Sequence, residues 1–233
     1  MAIIHTFNKK KAACRVFFLA TATEPEFIKK TQNMCVDRPS FNFFMYICGM
    51  KIAVYCSANS QLDPDYYRMA AEMGTWMAQE GHTLVFGGTD LGLMESIARA
   101  VHDGGGRVIG VVPSKVEERG RTSQWLDVHI PCDNLSDRKQ LMELQSDVFV
   151  ALPGGVGTLD EVFNVVAEAS IGYHQKRVIL YNMKGFWDSL IRMMDDLRQK
   201  GVIRGDIDRQ LLVAHSLEEL KNMIGEERRT LFK

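Results

Sequence analysis

From residue 50 onward, the chain alternates between short apolar segments and longer segments of mixed polarity. The short segments are rich in β-branched residues, as expected for buried parallel strands. They span residues 52–56, 83–86, 107–112, 127–131, 147–152, 177–181 and 211–214. The longer segments place apolar residues at helical spacing, as Leu159, Val162 and Val166 do. Strands that alternate with helices imply right-handed crossovers, so the pattern predicts an α/β fold with a three-layer, doubly wound parallel sheet of the Rossmann-like type.

Capping residues mark the ends of several predicted helices. Asp63 followed by proline is typical of a helix start, and Gly81 ends the same helix. Ser216 and Glu219 form a capping box for the last helix. Further helices are predicted to end near residue 102 and to span residues 133–145, 159–171 and 185–199.

Residues 1–49 differ in composition from the rest of the chain, because basic residues are in excess over acidic ones. A basic start before an apolar stretch suggests a secretory signal or a transit peptide. The apolar stretch at residues 16–20 is, however, shorter than the roughly 7–15 residues of a signal-peptide core. We favour a domain that begins at Met50, preceded by an extension read through from an upstream start. We therefore expect a poorly ordered extension over residues 1–49, a domain over residues 50–225 and a charged tail, prone to fraying, over residues 226–233.

Composition and charge argue against several classes of protein. The 28 basic and 29 acidic residues nearly cancel, so charge gives no indication of a nucleic-acid partner. No apolar run approaches the roughly 20 residues of a membrane span. The five cysteines are scattered, with no Cys-x-x-Cys pair and no Cys/His cluster at zinc spacing. We therefore expect reduced thiols in a cytoplasmic protein without a bound metal.

Residues 153–161, Pro-Gly-Gly-Val-Gly-Thr-Leu-Asp-Glu, lie where a predicted strand turns into a helix. Gly154, Gly155 and Gly157 allow positive φ values and leave no side chains in the way of a ligand. The first N–H groups of the helix lack partners and carry the positive end of its dipole. Thr158 adds a hydroxyl that can cap the helix or hold a phosphate oxygen. The turn is thus a candidate anion site, of the kind most often used for phosphate.

Two further stretches follow the carboxyl ends of predicted strands. Gly87 and Gly88 open a second strand-to-helix turn, and Ser57 begins a small polar stretch after the first strand. Because ligands bind outside the carboxyl ends of the strands in such sheets, we expect these residues to join the phosphate site. Neither glycine turn has the Gly-x-Gly-x-x-Gly spacing of a dinucleotide fingerprint, so NAD is not expected. The polar residues 113–126 predict a loop or lid over the same strand ends.

Two charged residues accompany the glycine turns. Glu161 lies one helical turn past Gly157, so its carboxylate can face the same cavity. Because a carboxylate repels phosphate, it suits the sugar or the scissile bond of a nucleotide; the alternative is a helix-start carboxylate that the dipole favours. Arg138 can hold a ribose hydroxyl or a phosphate in fixed geometry. The alternative for Arg138 is a surface arginine that pairs with Asp137 or Glu143.

The chain resembles the Lonely Guy (LOG) family in two motifs at a specific spacing. Pro-Gly-Gly-x-Gly-Thr-x-x-Glu occupies residues 153–161, and Arg138-Lys139-x-x-Met142 precedes it. The resemblance covers residues 50–224. Members of this family, long labelled possible lysine decarboxylases, are phosphoribohydrolases that cut the N-glycosidic bond of nucleoside 5′-monophosphates, and they are best known for releasing cytokinins.

The resemblance implies an N-glycosidase that converts a cytokinin riboside 5′-monophosphate or AMP to free base and ribose 5-phosphate. Glu161 would stabilise the positive charge at C1′ and orient water, as carboxylates do in glycosidases. Arg138 would orient the ribose or assist the leaving base, with Lys139 as a lesser candidate. The phosphate and ribose would be bound by residues of the three strand ends: Gly154, Gly155, Gly157, Thr158, Gly87, Gly88 and Ser57.

The resemblance also implies partners. Family members assemble as dimers with pockets at or near the subunit interface, so we expect a homodimer or a higher homo-oligomer that needs neither cofactor nor metal. In the family the second turn usually reads Gly-Gly-Gly-x-x-Gly-Leu-Met-Gly. Here Thr89 and Glu95 replace two of those glycines, and these replacements leave the preferred base undetermined.

Two other functions compete with the hydrolase. A non-catalytic nucleotide-binding protein of the same fold would keep the glycine turns but would not need Glu161 and Arg138 together. A decarboxylase is the weakest candidate, because no lysine lies in the setting that a pyridoxal enzyme requires. Because histidine ordinarily titrates near neutral pH, His174 is a further candidate for a base, but no motif supports that role.

Overall fold

The computed structural model describes residues 49–203 and 207–231, so the extension expected over residues 1–49 lies, apart from Gly49, outside the described residues. Within them the chain forms a parallel sheet of seven strands. The strands are β1 (Lys51–Tyr55), β2 (Thr83–Phe86), β3 (Arg107–Pro113), β4 (Val128–Cys132), β5 (Val148–Ala151), β6 (Val178–Tyr181) and β7 (Leu211–Ala214). Their order is β4-β3-β2-β1-β5-β6-β7, and all neighbouring pairs are parallel. The prediction of a doubly wound parallel sheet is confirmed.

Helices cover both faces of this sheet and complete the three predicted layers. They are α1 (Pro64–Gln79), α2 (Gly92–Asp103), α3 (Ser114–Glu118), α4 (Leu135–Gln145), α5 (Val156–Ser170), α6 (Asp188–Gln199) and α7 (Leu217–Leu231), with short 3₁₀ segments at Met183–Gly185 and Ile207–Arg209. The buried residues of α1, α2 and α7 pack on one face, and those of α4, α5 and α6 pack on the other. In β1, Ile52 and Val54 face the first core, whereas Ala53 and Tyr55 face the second.

Capping residues set several helix ends where the sequence predicts them. The Asp63 side chain accepts a hydrogen bond from the Asp65 N–H at 2.9 Å, so it caps α1 as expected. Gly81 has a φ of +70°, which suits the residue that follows a helix end. Before α7, the Ser216 hydroxyl accepts a hydrogen bond from the Glu219 N–H at 3.1 Å.

Other expectations about element boundaries were wrong. α5 begins at Val156 rather than at residue 159, because its first turn is helical although it lacks apolar periodicity. α3 lies inside residues 113–126, which we expected to form a loop. α7 continues to Leu231 and so includes residues 226–231 of the predicted charged tail. One reason is that Arg177, next to β6, donates to the Glu227 carboxylate at 2.8 Å.

The strand order reverses between β1 and β5, and this reversal positions the candidate site. The chain passes outward from β1 to β4 and then returns to add β5 on the other side of β1. The Ser57 N–H donates to the Pro153 carbonyl at 3.0 Å, and the Leu152 N–H donates to the Tyr55 carbonyl at 2.9 Å. The segments that follow β1 and β5 are therefore held side by side, at the crevice where doubly wound sheets bind ligands.

Candidate functional site

The first glycine turn presents backbone N–H groups at the start of α5. Gly155 is the N-cap residue, and no side chain caps this helix. A Cβ atom at Gly155 or Gly157 would have nothing within 4 Å, so packing does not require glycine at either position. Open space over uncapped N–H groups at a helix start is the arrangement that an anionic ligand needs.

Thr158 and Gly154 belong to the packing of this turn. A Cβ atom at Gly154 would collide with the Thr158 side chain, so only glycine fits there. Thr158 is the third residue of α5, and its side chain is buried. It does not cap the helix, so one of the two roles that we considered for it is not observed. The four predicted residues of the turn thus divide into two that fix its shape and two that leave its surface open.

The second glycine turn lies against the guanidinium group of Arg138. Gly88 has a φ of +71°, and a Cβ atom there would collide with Val112, so both the backbone and the packing require glycine. A Cβ atom at Gly87 would lie 3.2 Å from Arg138 Nη1. The backbone just after β2 therefore lies close to the Arg138 guanidinium group, and a side chain at position 87 would crowd it.

Ser57 joins the two turns through its backbone. Its N–H donates to the Pro153 carbonyl at 3.0 Å, and its carbonyl accepts from the Leu93 N–H at 2.9 Å. Its hydroxyl accepts a hydrogen bond from the Asn59 N–H at 3.0 Å, within the loop that follows β1. The structure thus brings the predicted residues of three strand ends to one edge of the sheet.

Arg138 of α4 and Glu161 of α5 form a buried ion pair beside these turns. Arg138 Nη2 donates to Glu161 Oε1 at 2.5 Å, and the two side chains are 14% and 2% exposed. The surface alternatives are not observed, because Asp137 instead accepts a hydrogen bond from the Asn134 side chain and Glu161 is shielded from solvent. Such a charge-assisted bond fixes both groups, since breaking it would leave a buried charge unpaired.

The buried position changes the acidity of the site. Burial raises the pKa of Glu161 to about 7, and the Arg138 guanidinium offsets this effect only in part. A carboxyl group with this pKa exchanges its proton near neutral pH, as active-site acids and bases do. Tyr55, the last residue of β1, has a buried hydroxyl without a hydrogen-bond partner, and burial together with the Glu161 carboxylate raises its pKa. Tyr55 was not predicted as a site residue, because a single tyrosine at the end of a strand is usually a packed side chain.

Lys139 forms a second ion pair next to the first. Its Nζ lies 2.9 Å from the Asp160 carboxylate, which is 55% exposed and marks the rim of the site. Two consecutive residues of α4 therefore pair with two consecutive residues of α5. The ammonium group of Lys139 is bound at that rim, which leaves Arg138 as the cation that lies beside the second glycine turn.

Thr89 and Glu95, which replace glycines of the family pattern, both bind residues 119–126, here called the strap. Thr89 donates from its hydroxyl to a backbone carbonyl of the strap at 3.2 Å. Glu95 accepts hydrogen bonds from the Ser123 hydroxyl at 2.7 Å and from the Trp125 indole at 2.6 Å. The departures from the family pattern therefore anchor the strap beside the second glycine turn.

α4 and α5 also bring together three potential metal ligands that sequence spacing did not reveal. Glu143, Glu168 and His174 each offer a ligand atom within 4.8 Å of the others. Burial and the neighbouring Glu168 raise the pKa of Glu143 to about 7, and burial lowers the pKa of His174. No local pattern indicates this cluster, because its residues are spread over two helices and a loop.

Fold and geometry together define a doubly wound α/β protein that has a glycine turn suited to an anion and a buried Arg–Glu pair. A profile of the family described as "Possible lysine decarboxylase" matches residues 94–224. The chain is 36% identical to cytokinin riboside 5'-monophosphate phosphoribohydrolase LOG of Oryza sativa subsp. japonica, over 73% of this chain and 70% of that protein. It is 33% identical to cytokinin riboside 5'-monophosphate phosphoribohydrolase LOG2 of Arabidopsis thaliana, over 76% of this chain and 83% of that protein. The chain belongs to the LOG family.

Solved structures of the same fold include proteins with other described roles. The molybdenum cofactor binding protein from the phototrophic bacterium Rippkaea orientalis is similar with a TM-score of 0.60 and 27% identity, over 77% of this chain and 98% of that one. The Moco carrier protein from Chlamydomonas reinhardtii has a TM-score of 0.62 at 23% identity, over 78% and 99%, and this likeness shows the fold alone. Membership of the fold therefore does not distinguish a hydrolase from a binding protein.

Proposed function

We propose that the protein hydrolyses the N-glycosidic bond of a nucleoside 5′-monophosphate, either a cytokinin riboside 5′-monophosphate or AMP. The observation that carries this proposal is the buried pair of Arg138 and Glu161. Arg138 lies next to Gly87 of the second glycine turn, and Glu161 lies on α5, which begins at the first glycine turn. The names of the relatives that are 36% and 33% identical support the same reaction.

The start of α5 suits the 5′-phosphate of the substrate. The uncapped N–H groups and the open surface at Gly155 and Gly157 match a phosphate dianion in charge and in space. Binding energy from this remote group would position the ribose against the Arg138–Glu161 pair. The proposal therefore requires that nucleosides without the 5′-phosphate are poor substrates.

The Arg138–Glu161 pair suits the sugar and the scissile bond. As the bond from C1′ to the base nitrogen breaks, positive charge develops on the ribose, water adds its oxygen to C1′, and the base takes up a proton. The ionised Glu161 would stabilise that charge and orient the water. Arg138 retains its proton at any physiological pH, so it would act by donating hydrogen bonds to the ribose or the leaving base.

A second candidate is a binding protein of the same fold without catalysis. It is favoured by the similarity, at 27% identity, to the molybdenum cofactor binding protein from Rippkaea orientalis. Such a protein would use the glycine turns for a phosphate group. It would have no use for a carboxyl group that is 2% exposed and has a pKa of about 7. Glu161 therefore favours the hydrolase.

We further propose that the chain forms a homodimer, or a higher homo-oligomer, through α4 and α5. Five apolar residues on these helices and just after α5 are each more than half exposed: Leu135, Leu144, Val156, Ile171 and Tyr173. Exposed apolar residues concentrated on neighbouring helices are typical of a protein–protein interface. The same two helices carry Arg138 and Glu161, so a second copy on this face would lie beside the candidate site.

We propose a cytoplasmic location. The cysteines of the described residues, Cys56 and Cys132, are both free and buried, as expected in a reducing compartment. Within residues 49–203 and 207–231, no helix combines the length and hydrophobicity that a membrane span requires. Fractionation of cells that express the full chain, followed by detection with an antibody, would test the location.

The reaction can be tested with purified full-length protein. AMP and N6-isopentenyl AMP are incubated separately, and free base and ribose 5-phosphate are measured by chromatography. The expected result is release of base by the wild type and a loss of at least about 100-fold in Glu161→Gln, because one carboxylate contributes strongly to such transition states. The ratio of the two rates ranks the substrates.

Matched controls separate catalysis from binding. Glu118→Gln removes an exposed carboxylate on α3 and should leave the rate unchanged. Adenosine should react far more slowly than AMP if the phosphate contributes binding energy. Release of base from neither monophosphate, together with AMP binding that Glu161→Gln leaves intact, would support the binding protein and refute the hydrolase.

A further inference from the structure

Two carboxylates and an imidazole meet near the carboxyl ends of α4 and α5. Glu143 lies on α4, Glu168 lies on α5, and His174 lies in the segment between α5 and β6. His174 Nε2 is 3.9 Å from the Glu143 carboxylate and 4.0 Å from the Glu168 carboxylate. Ligand atoms of all three side chains lie within 4.8 Å of one another. The three side chains thus bring their ligand atoms close to one another.

His174 is the informative member of this cluster. Its side chain is only 8% exposed, and its Nε2 is buried without a hydrogen-bond partner. A buried polar atom that lacks a partner is uncommon in folded proteins and calls for an explanation. Because Nε2 is directed at two carboxylates that are too far away for hydrogen bonds, a group between the three atoms would supply the missing partner.

The charges around the cluster favour a cation as that group. Glu143 and Glu168 place two acidic groups together in a partly buried position, where burial and the neighbouring Glu168 raise the pKa of Glu143. Asn164 donates to the Glu168 carboxylate at 3.0 Å, and the Lys176 ammonium donates to the backbone carbonyl of Glu143 at 2.6 Å. Neither of these donors is bonded to His174 Nε2, which has no hydrogen-bond partner.

We propose that Glu143, Glu168 and His174 form a binding site for a divalent cation of the Zn²⁺ class. Zn²⁺ accepts both imidazole nitrogen and carboxylate oxygen, whereas Mg²⁺ and Ca²⁺ prefer oxygen ligands alone. Metal–ligand distances are about 2.0–2.2 Å, so the three side chains move closer together on binding. Coordination through Nε2 leaves the imidazole proton on Nδ1, at the expense of a 3.2 Å hydrogen bond from the Lys176 N–H.

A cation here would clamp the two helices that carry the candidate reacting groups. Glu143 follows Arg138 on α4, and Glu168 follows Glu161 on α5. The ion would lie away from the glycine turns and would act on the geometry of the Arg138–Glu161 pair without touching the substrate. This inference does not depend on the proposed reaction, because metal binding and stability report on it directly.

The test measures Zn²⁺ binding to the full chain after treatment with a chelator. Equilibrium dialysis against ZnCl₂ and thermal unfolding with and without Zn²⁺ give the affinity and the stabilisation. The wild type should bind one ion more per chain than the variants Glu143→Gln, Glu168→Gln and His174→Gln. Each variant should reduce the affinity of this site for Zn²⁺ at least about tenfold. Mutation of a group that only supports a metal ligand already reduces metal affinity about 10–100-fold. MgCl₂ should give no stabilisation.

Controls keep the result decisive. The two Glu→Gln variants keep side-chain shape and relieve repulsion, so both should fold without metal; His174→Gln provides an independent third variant. Glu118→Gln, on the exposed face of α3, should bind Zn²⁺ as the wild type does. The proposal is overturned if the wild type shows no saturable binding, or if the three variants bind and are stabilised like the wild type, which would locate the ion on other histidines or thiols.

Discussion

Glu161 is a nearly fully buried carboxyl group with a pKa of about 7, and this combination makes stability depend on pH. Between the ordinary value of 4.5 and about pH 7, the folded protein holds a proton that the unfolded chain has released. The free energy of unfolding should therefore fall as the pH rises through this window, by roughly 3 kcal/mol. Urea unfolding of the wild type and of Glu161→Gln at pH 5 and pH 8 would measure it.

The difference between the two proteins isolates this effect, because other groups that titrate in the same window, such as Glu143, are present in both. Glu161→Gln should lose less stability between pH 5 and pH 8 than the wild type by roughly 3 kcal/mol. Parallel pH dependences in the two proteins would show that Glu161 is ionised in the folded state throughout, and that Arg138 dominates over burial.

The glycines of the first turn differ in what they do, and substitution by alanine should separate their roles. Gly157 lies in the first turn of α5 with open space beside it, so Gly157→Ala should raise the free energy of unfolding by about 0.5–1 kcal/mol. The new methyl group would stand where we place the phosphate, so the KM for AMP should increase at least about tenfold. Gly154→Ala should instead destabilise the fold by about 1–3 kcal/mol, because it collides with Thr158. An unchanged KM in Gly157→Ala would remove this turn from the site.

At the residue scale, the sequence indicated the groups that belong to motifs and missed those that depend on packing. Arg138 and Glu161 were both predicted as residues of the candidate site, and the structure pairs them directly. Tyr55 and His174 could not be assigned, because a single tyrosine or histidine is usually a packed side chain. Their unpaired buried atoms become visible only when neighbouring helices are in place.

At the scale of elements, the strap depends on a residue that relatives with the usual glycine pattern lack. Glu95 accepts hydrogen bonds from both Ser123 and Trp125, so Glu95→Gly should release this segment. Hydrogen bonds to a charged group contribute about 1.5–3 kcal/mol, and we expect a loss of stability of roughly 2–3 kcal/mol. Trypsin should then cleave faster after Arg119 and Arg121, as followed by mass spectrometry.

Glu95→Gln serves as the comparison, since it keeps an acceptor and a similar shape while removing the charge. It should show intermediate cleavage and stability. If Glu95→Gly is cleaved no faster than the wild type, the remaining bonds of the strap, such as those from Thr89 and to Gly88, are sufficient to hold it. Such a result would restrict the role of Glu95 to local packing.

Element boundaries were predictable where the sequence changes sharply in character. β2 and β7 match the predicted residues because polar or turn residues flank each apolar run. The start of α5 was predicted too late, since residues 156–158 carry no apolar periodicity and are held by backbone geometry. α7 extends into the predicted charged tail, where Glu227 pairs with Arg177.

At the scale of the whole molecule, the alternation of strands and helices was sufficient to predict the sheet and the edge at which the site lies. Connections between parallel strands are right-handed, and ligands bind where the strand order reverses, so few arrangements are compatible with the pattern. The metal-ligand cluster was not predictable in this way. It depends on the distance between α4 and α5, which side-chain packing sets and no local sequence pattern encodes.

The exposed apolar residues of α4 and α5 lead to the last prediction, which concerns assembly. Leu144 is 69% exposed on α4, and Val202, after α6, is 64% exposed on another part of the surface. If α4 and α5 form the interface between two copies, Leu144→Lys should shift the chain from dimer to monomer in sedimentation velocity experiments, because it buries an unpaired charge. Val202→Lys makes the same chemical change at similar exposure and should leave the dimer intact. A dimer that withstands Leu144→Lys but dissociates in Val202→Lys would assign the interface to the surface around Val202, and a wild type that sediments as a monomer would refute self-association.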